Sequence, residues 1–242
     1  MPTFRDTAVV LRTHNLGEAD RIITFLGLNH GKFRAVGKGV RRTKSKFGSR
    51  LEPFMYVDVQ CYTGKTLDTV TQVEIIDAFA KPVAASYPLF TAGQAILEAA
   101  DRLVTEEEQP AQAQFWLLVG ALRSLATNAH APGLVLDSYL LRAFALAGWA
   151  PSLNGCAVCN EPGPHAAFSV ALGGVVCGRC RPEGARIVGV ETNELITALL
   201  VGDWAYADRA SASSREQAAK LITVFTQYQL ERDLRALRHV DR

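Results

Sequence analysis

The sequence predicts an α+β protein in which a small β-barrel is followed by helices that carry a four-cysteine insertion. Three observations support this prediction. Short runs rich in Val, Ile, Thr and Phe fill the first eighty or so residues, and helical apolar periodicity begins after Pro88. Between Gly148 and Pro182, turn residues accompany four of the five cysteines. We expect a barrel domain over residues 1–79 and a helical domain over 80–242, with the insertion at 150–185.

The barrel is predicted from five β-like runs separated by Gly, Asn or Asp. These runs are Thr7–Thr13, Arg21–Leu26, Lys32–Lys38, Phe54–Tyr62 and Thr66–Ala78. The connection Thr63-Gly64-Lys65 predicts that the last two runs pair as an antiparallel hairpin. Five strands in this length are typical of an OB-fold, a barrel whose face and loops commonly bind oligonucleotides.

The helical domain is predicted from apolar residues at three- and four-residue intervals. The predicted helices are Leu89–Leu103, Ala111–Thr127, Leu134–Leu146, Thr192–Leu200 and Ser214–His239. Ser214 is the expected N-cap of the last helix, with Gln217 three residues on. Large aromatic side chains in these helices are expected in the core: Phe115, Trp116, Tyr139 and Phe144.

Composition places the positive charge in the N-terminal third. The chain of 242 residues is 48% hydrophobic, which excludes a disordered protein, and its net charge is only +2. However, residues 1–79 hold twelve Lys and Arg against eight Asp and Glu, residues 80–150 hold four against six, and residues 151–242 hold ten against ten. This asymmetry indicates a polyanionic partner, such as nucleic acid.

The N-terminus and the apolar runs bear on localisation. The first ten residues show no cationic segment leading into an apolar one, and no apolar run approaches the roughly 18 residues of a bilayer span. We therefore expect a cytoplasmic, nucleoid-associated protein without a membrane partner.

The strongest local charge lies in the segment Gly31–Arg50, which we call the basic segment. It contains eight cations and no Asp or Glu: Lys32, Arg34, Lys38, Arg41, Arg42, Lys44, Lys46 and Arg50. Phe33 and Phe47 lie among them, and Phe54 follows. Single-stranded nucleic acid is bound by cations that meet phosphates and by rings on which bases stack, so all these residues are predicted nucleic-acid contacts. The alternative is a solvated turn that only aids solubility.

The cysteines form the most specific motif in the chain. Cys156-x-x-Cys159 and Cys177-x-x-Cys180 are separated by seventeen residues, a spacing typical of a four-sulfur zinc site. Two disulfides or free thiols are the alternatives, and a reducing cytosol favours zinc. Because four protein ligands leave no position for water, one structural zinc ion is expected. His165 lies between the two pairs but is not needed as a ligand.

No arrangement of residues in the sequence predicts catalysis. The remaining histidines show no spacing that pairs them with a nucleophile or a metal, and no Ser-His-Asp set or paired carboxylates can be argued. The sequence therefore predicts a binding protein and not an enzyme, with no catalytic residue.

Several motifs together resemble the bacterial RecO family of recombination mediators in DNA repair, and they span nearly the whole chain. They are residues 8–12 (AVVLR), Gly17-Glu18-x-Asp20, residues 35–42 (AVGKGVRR) with 44–46 (KSK), residues 51–54 (LEPF), residues 148–153 (GWAPSL) and residues 234–238 (LRALR). The resemblance implies an N-terminal OB-fold, a helical domain and a zinc-bound insertion.

The resemblance also implies an activity and partners. A RecO-like protein is expected to bind single- and double-stranded DNA and to anneal complementary strands. With RecR, it is expected to help load RecA onto DNA coated by single-stranded DNA-binding protein, whose acidic C-terminal tail the helical domain would bind. The alternative is an RNA-binding zinc-ribbon factor of transcription or translation, which would share the barrel, the cysteines and the basic segment.

Overall fold

The computed structural model describes residues 2–105, 109–231 and 234–240. Residue contacts divide the chain into two compact units, Met1–Thr127 and Asn128–Arg242. Within the described residues, the first unit contains five strands and three α-helices, and the second contains four α-helices and a small sheet. No helix in these described ranges is long and apolar enough to cross a membrane.

The strands of the first unit close into a barrel with the order β1-β2-β3-β5-β4. They are β1 Thr3–Leu16, β2 Asp20–Gly27, β3 Gly31–Gly37, β4 Met55–Tyr62 and β5 Asp68–Ala78. Neighbours pair antiparallel except β3 and β5, which run parallel. All five predicted strands are present, and this order is that of the expected OB-fold.

Period-two alternation explains why these residues form the barrel. On β4, Met55, Val57, Val59 and Cys61 are all buried, and the residues between them from Asp58 onward are more exposed. Rings from the other strands complete this core, including Phe25 and Phe33, which stack with their centroids 5.0 Å apart. Burial raises the pKa of the Cys61 thiol to about 12, so this cysteine is an inert core residue.

Three helices belong to the barrel's unit: α1 Ala80–Val83, α2 Tyr87–Leu103 and α3 Gln112–Ala126. The side chain of Ser86 caps α2 by accepting from the N–H of Leu89. Lys32 Nζ of β3 donates to the Asp101 carbonyl of α2 at 2.8 Å, and Arg123 of α3 lies 3.7 Å from Asp77 of β5. The packed unit therefore extends beyond residue 79, the boundary predicted between barrel and helices.

The second unit contains α4 Pro132–Leu146, α5 Val190–Val201, α6 Trp204–Ala207 and α7 Ala212–Leu230. Between α4 and α5 lies the predicted insertion, whose sheet consists of β6 Ala167–Ser169, β7 Gly174–Val176 and β8 Arg186–Ile187 in the order β7-β6-β8. This sheet packs its apolar residues against the cysteines, with Ala167 and Val176 buried beside Cys156 and Cys177.

The last helix differs from its prediction at both ends. Its N-cap is Ser211, whose side chain accepts from the N–H of Ser214, so Ser214 lies within the first turn. The helix stops at Leu230, because Glu231 adopts the left-handed conformation with φ of 52°. A separate 3-10 turn covers Arg235–His239, and residues 232–233 of the predicted helix lie outside the described residues.

Candidate functional site

The basic segment begins with strand β3, continues beyond Gly37 as a loop, and ends within a 3-10 turn at Gly48–Leu51 that precedes β4. Two contacts hold the start of this loop to the turn between β1 and β2 and to the first residue of β2. The N–H of Gly39 donates to Asp20 Oδ1 at 2.7 Å, and the N–H of Arg41 donates to the carbonyl of Ala19 at 2.9 Å. Gly39 has φ of 66°, which favours glycine there. These contacts anchor the start of the loop to the barrel.

Seven of the eight predicted cations are exposed on this segment: Arg34, Lys38, Arg41, Arg42, Lys44, Lys46 and Arg50. Some of them also contact the protein's own carbonyls. Arg41 Nη1 lies 3.2 Å from the Gly17 carbonyl, and Lys46 Nζ lies 3.2 Å from the Thr71 carbonyl. Neither carbonyl carries a full negative charge, so these two cations keep their positive potential towards solvent.

Lys32 does not join the exposed set. Its side chain is 13% exposed, and its Nζ donates to the Asp101 carbonyl and lies 3.8 Å from Asp101 Oδ1. Lys32 therefore fastens β3 to α2 and has little reach towards a phosphate.

The predicted stacking rings are placed differently from the prediction. Phe33 and Phe47 are each 2% exposed within the barrel core, and Phe54 is 3% exposed and packs against Phe90 of α2. Burying each apolar ring in the core lowers the free energy of the folded protein more than leaving the ring exposed to solvent. Sequence spacing could not separate these two uses, because rings in a barrel core and rings on its surface both alternate with cations. No base can stack on the faces of these rings in this conformation.

Other aromatic side chains of the first unit are exposed. Tyr87 is 63% exposed, Phe90 41% and Trp116 54%. Trp116 was expected in the core, whereas Phe115, Tyr139 and Phe144 are buried as expected. The helical position of Trp116 gave a usable signal, because Gly120 and Arg123, one and two turns later, are also exposed on α3.

The four predicted zinc ligands converge in the second unit. The sulfur atoms of Cys156, Cys159, Cys177 and Cys180 all lie within 4.8 Å of one another. Cys159 Sγ and Cys177 Sγ are 3.8 Å apart, which is about the spacing of two sulfurs bound tetrahedrally at 2.3 Å from one zinc ion. All four thiols are free, which excludes the disulfide alternative in this structure. The donor set fits a metal ion.

The environment of the thiols favours a cation. Backbone N–H groups of Cys159 and then Cys177 stabilise the Cys156 thiolate and lower its pKa to about 6. In contrast, hydrogen bonds with the Cys177 and Cys159 side chains raise the pKa of Cys180 to about 12. Neighbouring thiolates repel one another, so a divalent ion that replaces their shared protons allows all four to ionise.

Two further polar side chains lie close to the cysteines in the sequence, and both contact Glu161. His165 Nε2 lies 2.8 Å from the Glu161 carbonyl, and His165 is not part of the ligand cluster. Arg179, between Cys177 and Cys180, is paired with Glu161 at 2.7 Å. This pair bridges the two cysteine turns, because Glu161 follows the first pair of cysteines and Arg179 lies within the second.

These features define a class: a protein with an N-terminal OB-type barrel, a helical region and an inserted four-cysteine cluster suited to a structural metal. Comparison with known proteins places it more narrowly. The chain belongs to the recombination protein O family, whose N-terminal model matches residues 1–79 and whose C-terminal model matches residues 85–238. It is 50% identical over 242 residues to the DNA repair protein RecO of Thermobifida fusca (strain YX), an alignment that covers 100% of both chains.

Proposed function

We propose that this protein is a DNA repair and recombination mediator that binds single- and double-stranded DNA and anneals complementary strands through its basic segment. The observation that carries the proposal is the cluster of seven exposed cations in the basic segment, which contains no acid. Family membership and the name of the Thermobifida fusca relative support the assignment to DNA repair.

Charge screening supplies the mechanism of annealing. Two DNA strands repel each other through their phosphates, and cations that neutralise phosphates release counterions and lower this repulsion. Lys38, Arg41, Arg42 and Lys44 extend from a backbone held by Asp20 and Ala19, so both strands meet the same positive surface. Contacts to phosphate need no base readout, and annealing by this route is independent of sequence.

The test is annealing of two labelled complementary oligonucleotides across a salt series. Changing Lys38, Arg41 and Arg42 together to Glu should abolish annealing, and wild-type annealing should fall steeply with salt. The matched control changes Lys65, Lys81 and Lys220 to Glu, since these exposed lysines lie outside the basic segment and alter the net charge equally. Annealing that persists in the first variant contradicts the proposal. A strong preference for RNA, or no annealing by the wild-type protein, favours the RNA-binding zinc-ribbon alternative.

In this proposal the cysteine cluster holds one Zn²⁺ ion as a structural element. Cys156, Cys159, Cys177 and Cys180 would supply the four ligands, and the bound ion would stabilise the small sheet between α4 and α5. The chemistry of the ion is confined to holding this fold, because four thiolates fill its coordination positions.

The proposal extends to protein partners by resemblance to the family. RecR would act with this protein to load RecA, and the helical region would bind the acidic tail of single-stranded DNA-binding protein. Deleting that tail should remove annealing of coated strands and leave annealing of naked strands unchanged. Equal annealing of coated strands with and without the tail would contradict this second part alone.

A further inference from the structure

A groove of about 600 Å³ lies between the basic segment and strand β5. One wall contains Lys46, Phe47 and Arg50, and the other contains the residues from Thr71 to Ile75. The annealing mechanism above uses the exposed cations as a surface and assigns no role to β5.

The β5 wall is a sheet edge over most of its length. Strand β3 pairs with β5 only at Ala35–Asp68 and Val36–Thr69. Beyond these two pairs, the described barrel strands leave β4 as the sheet neighbour of β5. Such an edge presents N–H and C=O groups that are free to bond another chain or ligand. One of its carbonyls, that of Thr71, already accepts from Lys46.

Two cations are held at the mouth of this groove. Lys46 Nζ lies 3.2 Å from the Thr71 carbonyl and 4.8 Å from the centroid of the Phe47 ring. Arg50 Nη1 lies 3.5 Å from the Lys46 carbonyl. These contacts place both cations beside the β5 wall, where a phosphate in the groove would meet them.

The remaining lining combines an apolar surface with one carboxylate. Ile75 is 47% exposed, which gives the groove a face against which a flat ring can lie. Glu74 also lines the groove, and its carboxylate lies 4.0 Å from Arg5, an exposed and therefore weak pair. The positive charge of Lys46 and Arg50 exceeds the negative charge of Glu74, so the lining favours a negatively charged ligand that also carries apolar rings.

We propose that the β5 groove binds unpaired nucleotides of single-stranded DNA, with phosphates on Lys46 and Arg50 and base edges on the β5 backbone. This inference rests on the proposed function and adds to it a site that distinguishes single strands from duplex. The hydrogen-bonding edges of bases in a duplex are already paired, so a duplex meets the exposed cations but cannot insert bases into the groove. Ile75 takes the place of the buried phenylalanines as the surface that a base contacts.

The test compares two identical substitutions at different places. Gln72→Glu adds a carboxylate on the groove wall, whereas Gln112→Glu adds one on α3, outside the lining, and both glutamines are exposed. We expect Gln72→Glu to weaken binding of an oligo(dT) strand about fivefold and of a duplex less than about twofold, measured by fluorescence anisotropy. Gln112→Glu should change neither affinity.

A second variant removes a negative charge from the groove, where the first variant adds one. Glu74→Gln removes the carboxylate of the groove and should strengthen oligo(dT) binding about twofold without strengthening duplex binding. The exposure of Glu74 makes a folding defect in this variant small, and thermal denaturation checks it.

The outcomes separate this inference from the proposed function. If Gln72→Glu leaves oligo(dT) affinity unchanged but changing Lys38, Arg41 and Arg42 to Glu abolishes binding, the proposed groove site is contradicted. The proposed annealing function is then still supported. Equal losses for oligo(dT) and duplex in Gln72→Glu also overturn it, because the groove would then not select single strands. Loss of RecR binding with full DNA affinity in Gln72→Glu would assign the β5 edge to a protein and overturn the proposal. Full DNA binding by both the Gln72 and the triple variant would contradict the proposed function itself.

Discussion

The cysteine cluster and the basic segment place their polar side chains in opposite ways. Four sulfur atoms converge within 4.8 Å of one another, and two of the cysteines, Cys156 and Cys177, are buried together with Ala167 and Val176. The cations of the basic segment diverge into solvent, and seven of eight are exposed. The repulsion between the four thiolates must be neutralised for the second unit to fold. The exposed cations of the basic segment, in contrast, hardly affect the stability of the fold and act mainly on a binding partner. The two regions should therefore respond to mutation in different measurements.

The largest expected effect comes from removing one ligand of the cluster. Cys177→Ser should eliminate bound zinc and lower the free energy of unfolding of the second unit by about 5 kcal/mol, because metal binding is coupled to folding. Metal content by mass spectrometry and thermal denaturation by circular dichroism measure both effects. Cys61→Ala, in the barrel core, is the control and should keep one zinc per chain. Full zinc content in Cys177→Ser would contradict the four-sulfur site.

A smaller loss of stability is expected from the ring that joins the basic segment to the barrel. Phe47→Ala should lower the free energy of unfolding by about 3–4 kcal/mol, because it leaves a cavity where a ring is 2% exposed. Phe47→Leu keeps most of the apolar volume and should retain wild-type affinity for DNA. If a stable Phe47→Leu protein lost much of its DNA affinity, the result would support the original prediction that a base stacks on Phe47. Urea denaturation and anisotropy titration of both variants provide the measurements.

The same comparison explains which parts of the structure the sequence could predict. The two residues between the cysteines of each Cys-x-x-Cys pair keep their sulfur atoms close together, so the spacing alone predicted the cluster. The apolar periodicities predicted the order of strands and helices. The end of α7 could not be predicted in this way, because Glu231 takes a left-handed conformation that its residue type does not indicate. The boundary of the first packed unit depends on contacts such as Lys32 with Asp101, which are distant in sequence.

The direction of side chains in the basic segment was also beyond the sequence. The sequence shows where the cations lie along the chain, but it could not show that Phe33 and Phe47 face the barrel core or that Lys32 faces α2. A ring or an aliphatic stem next to a charge has two favourable environments, and tertiary packing decides between them. The sequence therefore located the basic segment, and the structure shows which of its side chains are exposed.

The smallest expected effect separates two lysines of the same segment. Lys38→Gln removes an exposed charge and should reduce the slope of log affinity against log salt by about 1, without changing stability. Lys32→Gln removes the same charge, but its Nζ donates to the Asp101 carbonyl, so the loss should be about 1 kcal/mol of stability in the first unit with an unchanged salt slope. Salt titrations of oligonucleotide binding and urea denaturation distinguish the two. Equal reductions of the salt slope in both variants would show that Lys32 leaves α2 to reach a phosphate, and that the segment rearranges when it binds DNA.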